Sequence, residues 1–356
     1  MTDPDRHLLI VAPDLANNSL ARAYCLWSLA RAAGWTAGVA AVRGESIWAP
    51  LAGTEFAAAC TRTTAAGLAV RARGAAALVA VKPLAESLGL AVRARGRRPL
   101  WVDIDDPDLE VRHFGKPRRD RLSLAARTPG YWVRLHALRA LARRLPCTVS
   151  NPLLGARYGG ALIPHVRHAF VAEGPAGRSD GRAREGMSVV FAGTPRPHKG
   201  LEELRRAVAE LQGDGVTLTV TAEAPDDARP WERWTGATSL AEGERLVRAA
   251  DVVALPTRPE GWGLAQLPAK LVDAMMAGVA VVATDVGPNR WALGDTGLLV
   301  PPGRAVALTA ALRRCLDPAL RADLGARANA RARARFSIEA LTPVFAAFLE
   351  ARLRDR

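Results

Sequence analysis

Short continuous apolar runs recur along the chain and alternate with longer Ala/Leu/Arg stretches of helical period. The first series is Leu8 to Ala12, Val39 to Val42, Ala77 to Val81, Leu100 to Ile104 and Thr148 to Ser150. Apolar runs without polar alternation predict strands covered on both faces, and their alternation with helices predicts a parallel sheet. The second half repeats the logic. Ser188 to Ala192, Val216 to Thr221 and Val252 to Leu255 read as strands, with Leu201 to Gln212 and Leu240 to Ala250 as helices. The prediction is two doubly wound α/β domains. Residues 169–186 include EGPAGRSDGRAREG, which has no apolar period and reads as an interdomain linker.

The densest segment runs from Pro259 to Gly303. From Leu267, apolar Leu271, Val272, Met275 and Met276 recur at helical spacing, Pro268 suits a first turn and Gly278 a stop. Val279 to Ala283 is then a buried strand. Gly263 and its neighbours fall where backbone N–H groups at a helix entrance hold phosphate. Near the C-terminus, Ile338, Leu341, Phe345, Phe348, Leu349 and Leu353 form a helical stripe interrupted by Pro343, which predicts a bend.

At 356 residues the chain exceeds the usual single-core limit, in keeping with two domains. Cys25, Cys60, Cys147 and Cys315 are far apart and form no CxxC pair, which argues against a zinc knuckle or disulfide framework and fits a reduced, cytoplasmic setting. No run approaches the roughly 20 apolar residues of a membrane span. The net charge of +14 comes mostly from Arg spread along Ala-rich helices. It reads either as a compositional habit or as peripheral contact with an anionic membrane; the aromatic-plus-basic signatures of nucleic-acid modules are missing. A nicotinamide enzyme is disfavoured, because no GxGxxG follows the first strand.

Four motifs in fixed order carry a family likeness. They are Glu260-Gly-Trp-Gly-Leu264, Lys270-Leu-Val-Asp-Ala274, Gly278 with Val281 to Thr284, and Gly297 to Gly303, with Gly193-Thr-Pro-Arg196-Pro-His-Lys199-Gly200 upstream. Together they resemble the C-terminal half of the family-4 retaining glycosyltransferases. The resemblance implies the GT-B fold: two Rossmann-like domains facing across a cleft, with a C-terminal helix crossing back to the first. Residues 1–168 would then be the acceptor domain, 187–335 the nucleotide-sugar domain and 336–356 the crossover helix.

In open parallel sheets ligands bind beyond the carboxyl ends of the strands. After the strand ending at Ala192 comes Gly193-Thr194, where Gly193 permits close backbone approach, and Arg196 and Lys199 supply positive charge. By resemblance this pair grips the donor's diphosphate. The family also carries two glutamates seven residues apart, and here its pattern breaks. Counting back from Asp273, which replaces the second, lands on Ala265; counting from the Glu-Gly-Trp-Gly-Leu string makes Glu260 the first. Glu260 is favoured, because the Gly263-Leu264 step travels with it, and Gln266 is the other polar candidate for the sugar. Asp273 is either the ribose ligand or an exposed i,i+3 partner of Lys270.

In the first domain, Asn18 lies in a loop that either caps a helix or faces donor and acceptor. Lys82 ends a strand where family members often carry a His near the reacting sugar. Asp105 and Asp106 end another strand. They read as acids that orient or deprotonate an acceptor hydroxyl or bind a cationic acceptor, or as a turn opener. His165 and His198 read as structural or incidental.

The reading is a hexosyltransferase-like retaining enzyme that uses a nucleotide-diphosphate sugar, with UDP-sugar favoured, and no metal or other cofactor. The acceptor would be a small molecule or glycan, since no hydrophobic-basic helix stands out near the N-terminus. The alternative is a catalytically inactive GT-B partner protein that binds nucleotide-sugar.

Overall fold

The computed structural model describes residues 6–111, 116–128, 130–170 and 186–354. The chain divides into two compact units, Met1–Val166 with Ile338–Arg356, and Arg167–Ser337. Most of the segment read as a linker, 171–185, lies outside the described residues.

The first unit holds seven parallel strands: β1 (His7–Val11), β2 (Thr36–Ala41), β3 (Cys60–Arg62), β4 (Ala77–Val81), β5 (Leu100–Ile104), β6 (Cys147–Val149) and β7 (Ala161–Leu162). Their order is β3-β2-β1-β4-β5-β6-β7. The second unit holds six: β8 (Ser188–Phe191), β9 (Thr217–Val220), β10 (Glu232–Trp234), β11 (Val252–Leu255), β12 (Ala280–Thr284) and β13 (Leu298–Val300), in the order β10-β9-β8-β11-β12-β13. Strand order reverses between β1 and β4 in one sheet and between β8 and β11 in the other. These are the switch points where open α/β sheets bind ligands.

The apolar runs are explained by what covers them. In the second unit, Val252 and Ala254 of β11 pack with Leu204, Val208 and Leu312 on one face. Val253 and Leu255 pack with Leu271, Met275 and Ala328 on the other. A strand buried on both faces has no polar side to show.

The four strands that pattern reading overlooked, β3, β7, β10 and β13, are the edges of the two sheets. Each has only two or three residues and is partly exposed, so no continuous apolar run marks it.

The C-terminal helix, Ile338–Arg354, packs on the helix Leu20–Ala32 of the first unit, and Phe348 meets the buried Trp101 edge to face at 5.5 Å. It runs as one helix through Pro343. An interior proline costs a helix roughly 3 kcal/mol. Pro343 itself is exposed, while Ile338, Leu341, Phe345 and Leu349 bury the opposite stripe and hold the helix together.

Candidate active site

At the switch point of the second unit, three loops are packed by their glycines. Gly193 (φ 123°) follows β8, and its N–H donates to Thr221 Oγ1 at 2.7 Å. A Cβ at Gly193 would stand 3.2 Å from Lys199 Nζ, so the ammonium lies against a backbone stripped of side chain. Lys199 closes a short 3-10 turn, Pro197–Lys199, with the exposed Arg196 at its entrance. Gly200 (φ 67°) then presses on the loop after β11, since a Cβ there would meet Pro256 O at 2.0 Å. The third loop joins through Gly287, which abuts Gly263 O.

Gly261–Leu264 is a 3-10 turn of its own, and the following helix, Ala269–Met276, begins five residues beyond Leu264. The expectation that Gly263 offers its amide at a helix entrance is corrected here: that N–H donates to Glu260 O at 3.0 Å. Gly263 supplies room instead, because a Cβ would stand 2.3 Å from Arg258 O. Glu260 is exposed, with Arg258 Nη1 at 3.8 Å from its carboxylate. Leu264 is exposed, Ala265 is buried and Gln266 is half-buried. His198 and Trp262 meet at 6.0 Å between ring centroids and join the two loops.

Asp273 is neither exposed nor open. Its side chain is 4 % exposed, with Arg167 Nε at 2.5 Å from Oδ1 and Lys270 Nζ at 3.0 Å from Oδ2. The i,i+3 pairing with Lys270 is present, but it is buried and shared with Arg167, leaving little of the carboxylate for a ribose hydroxyl. Burial works to raise the Asp273 pKa, and the two cations override it and hold the group down at about 2.

In the first unit, the carboxyl ends of β4 and β5 bring Lys82, Asp105 and Asp106 together. Lys82 Nζ lies 2.9 Å from Asp105, 2.6 Å from Asp106 and 2.7 Å from Asp108. All four residues are buried. The three carboxylates are close enough to share one cation, and the Lys82 ammonium stands among them. Among the described residues Lys82 is the one non-glycine with positive φ, at 65°. Its backbone is fixed on both sides: its N–H donates to Asp103 O at 2.8 Å, and Ser87 Oγ donates to its carbonyl at 2.7 Å.

One ammonium does not neutralise three buried carboxylates. Burial first, then the negative charge of Asp106 and Asp103, pushes the Asp105 pKa up to about 7, against the opposing pull of Lys82 and Arg22. Burial acts to lower the Lys82 pKa, but the three carboxylates outweigh it and raise the group well above its ordinary value.

Behind this cluster is a network that pattern reading missed. Arg22, fully buried, donates through Nε and Nη2 to Asp103 at 2.7 Å each, and further to the Pro164 and Ile163 carbonyls. Thr148 Oγ1 donates to Asp103 at 2.6 Å. A signal existed: Arg22 falls among the buried Leu20, Ala23 and Leu26 of its helix, and a charge there demands a buried counter-charge. Asp103, mid-strand in an apolar run, is that partner.

The remaining candidates lie near the ends of other elements of the first unit. Asn17 Oδ1 accepts from the Ser19 N–H and hydroxyl, while Asn18 is exposed beside it. Asn151 caps Pro152–Tyr158 by accepting from the Leu153 and Leu154 amides. His165 is buried, its Nδ1 4.0 Å from Cys25 Sγ.

Residues 186–318 match the family model described as Glycosyl transferases group 1. The chain is 34% identical over 203 residues to a D-inositol 3-phosphate glycosyltransferase of Kineococcus radiotolerans, a match covering 48% of this chain and 46% of that protein. It is 36% identical over 167 residues to a phosphatidyl-myo-inositol mannosyltransferase of Mycolicibacterium smegmatis, covering 43% and 42%. The matched segment thus spans less than half the length of these curated relatives. Among solved structures, sucrose-phosphate synthase from Thermosynechococcus elongatus superposes with a TM-score of 0.69 at 17% identity, over 99% of this chain and 100% of that one. Anabaena HepE, solved with UDP and glucose, gives 0.72 at 18%, over 97% and 99%. No described helix is long and apolar enough to cross a membrane. With its two parallel α/β units and these neighbours, the chain has the GT-B fold, and its second unit carries the group 1 match.

Proposed function

We propose that the chain is a retaining, metal-independent glycosyltransferase that moves a hexosyl group from a nucleotide-diphosphate sugar to an acceptor hydroxyl or amine. The observation that carries this reading is the convergence of three glycine-packed loops at the β8/β11 switch point, inside the matched segment, with Lys199 Nζ lying against the bare backbone of Gly193. Lys199 and Arg196 are assigned the diphosphate. As the bond from the anomeric carbon to the diphosphate oxygen lengthens, negative charge grows on that oxygen, and positioned cations stabilise it. The same oxygen takes the acceptor proton as the new bond forms on the same face, which gives retention. Glu260 is assigned to the donor sugar, with Gln266 beside it. Asp105 and Asp106 are assigned to the acceptor side, where Lys82 holds their orientation and Asp105, near neutral pH, exchanges a proton readily.

HepE was solved with UDP and glucose, so UDP-sugars are the first donors to try. The test is thermal stabilisation by UDP, GDP, ADP, CDP and TDP and their common sugars, followed by an acceptor screen with the stabilising donor. At about 100 times its Kd a specific ligand adds about 2.7 kcal/mol. A shift with one base that disappears in Lys199→Ala, together with sugar transfer, supports the reading. Stabilisation without transfer to any acceptor points to the inactive binding partner, and no shift with any nucleotide overturns the donor site.

A further inference from the structure

Between β5 and β6 the chain makes two helices, Arg118–Arg127 and Tyr131–Arg144. Residues 116–144 carry nine Lys and Arg against the single Asp120, a net charge of +8 and more than half of the chain's +14. Basic charge spread evenly by compositional habit would not gather in 29 of 356 residues.

The two helices are exposed in different degrees. Arg118–Arg127 has no buried residue among those described. Tyr131–Arg144 buries Leu135 and Ala142 and rests Leu138 near Gly89. Its other side turns Val133, Arg134, Ala137, Ala140 and Arg144 outward, at helical spacing. Leu122 and Val133 are 71% and 74% exposed, which makes them, after Val306, the most exposed large apolar side chains described. Half-buried Tyr131 and Trp132 lie at the start of the second helix.

We propose that the helices Arg118–Arg127 and Tyr131–Arg144 form a docking surface for an anionic lipid bilayer. Charge complementarity selects the partner: clustered Arg and Lys are drawn to acidic headgroups, each contributing roughly a fivefold gain in affinity near the surface. The exposed Leu122 and Val133, with Trp132 and Tyr131 alongside, distinguish a bilayer from a nucleic acid. Interfacial helices seat aliphatic and aromatic side chains below the headgroups while arginines stay at their level. The surface lies in the connection between β5 and β6, which follows Asp105 and Asp106 in the chain. The proposal stands on charge and exposure alone and does not depend on the transferase reading.

The test is co-sedimentation of the full chain with vesicles of phosphatidylcholine, with and without phosphatidylglycerol, at low and high salt. Expected is binding to the anionic vesicles only, lost at high salt. Changing Arg118, Arg119, Arg121 and Arg127 together to Gln is expected to weaken it by roughly two to three orders of magnitude. Arg118–Arg127 buries no described side chain, so this variant keeps its fold, checked by circular dichroism. Leu122→Ser with Val133→Ser separates a bilayer from other polyanions: it should weaken vesicle binding without changing retention on heparin. Equal binding to neutral vesicles, unaltered binding by the four-Gln variant, or preferential capture by duplex DNA in competition with the vesicles would overturn the proposal.

Discussion

Lys82 and Asp105 meet at 2.9 Å across neighbouring strand ends, and the lysine reaches the carboxylate from a left-handed backbone. A non-glycine residue held there costs of order 1–2 kcal/mol. Three carboxylates clustered around one ammonium, with both backbone groups tied, account for why the conformation persists. Removing the ammonium should therefore do more than lose one ion pair. Lys82→Met leaves three buried carboxylates without their cation and is expected to destabilise the first unit by about 3–5 kcal/mol at neutral pH. The loss should shrink at mildly acidic pH as the carboxylates take up protons. Denaturant unfolding at both pH values checks this; a loss independent of pH would show that the cluster is not governed by charge.

Asp105 gives a second prediction, with its own sign. Its folded pKa, about 7, stands above the ordinary 3.8. Between those values the folded chain binds more protons than the unfolded, so this residue's contribution to stability falls as pH rises from about 4 to 7. Asp105→Asn should flatten that part of the stability profile and make the protein relatively more stable at pH 7 and above. If Asp105 also handles the acceptor proton, transfer should fall in the same variant.

Asp273 has the opposite sign. Held at about 2 instead of 3.8, it contributes about 2 kcal/mol that is fully present above pH 4 and lost as pH falls through 2. Asp273→Asn should remove this acid-sensitive part of stability, measured by acid unfolding followed by circular dichroism. It should also free Lys270 and Arg167, so a double-mutant cycle with Arg167→Ala is expected to show strong coupling.

The glycine packing makes a further prediction. Gly263→Ala puts a methyl group 2.3 Å from Arg258 O, too close without backbone movement, and should cost about 1–3 kcal/mol. The displaced turn carries Glu260 and Trp262, so nucleotide stabilisation is expected to fall along with the melting temperature. Gly213→Ala, where a Cβ meets nothing within 4 Å, is the control and should leave nucleotide binding unchanged.

The sequence by itself determined the layered α/β organisation, because strands covered on both faces are mostly apolar, and the central strands of the two sheets are so, with Asp103 in β5 the charged exception. It also marked Lys199, Arg196, Lys82, Asp105 and Asp106, whose position in the segments that follow strand ends is a local property. Short edge strands stayed hidden because one open side removes the apolar signal. The tertiary structure alone decided which charges meet. Asp108 and Arg22 joined the polar network through contacts spanning 26 and 81 residues, distances over which no periodicity operates. It turned the Gly263 amide inward to Glu260 O, since a short turn satisfies its own backbone first, and it buried Asp273 under two cations, one of them Arg167, 106 residues away in the chain. Strand and helix are written in neighbours a few residues apart. The charge state and reach of a side chain are set by whatever the fold packs against it.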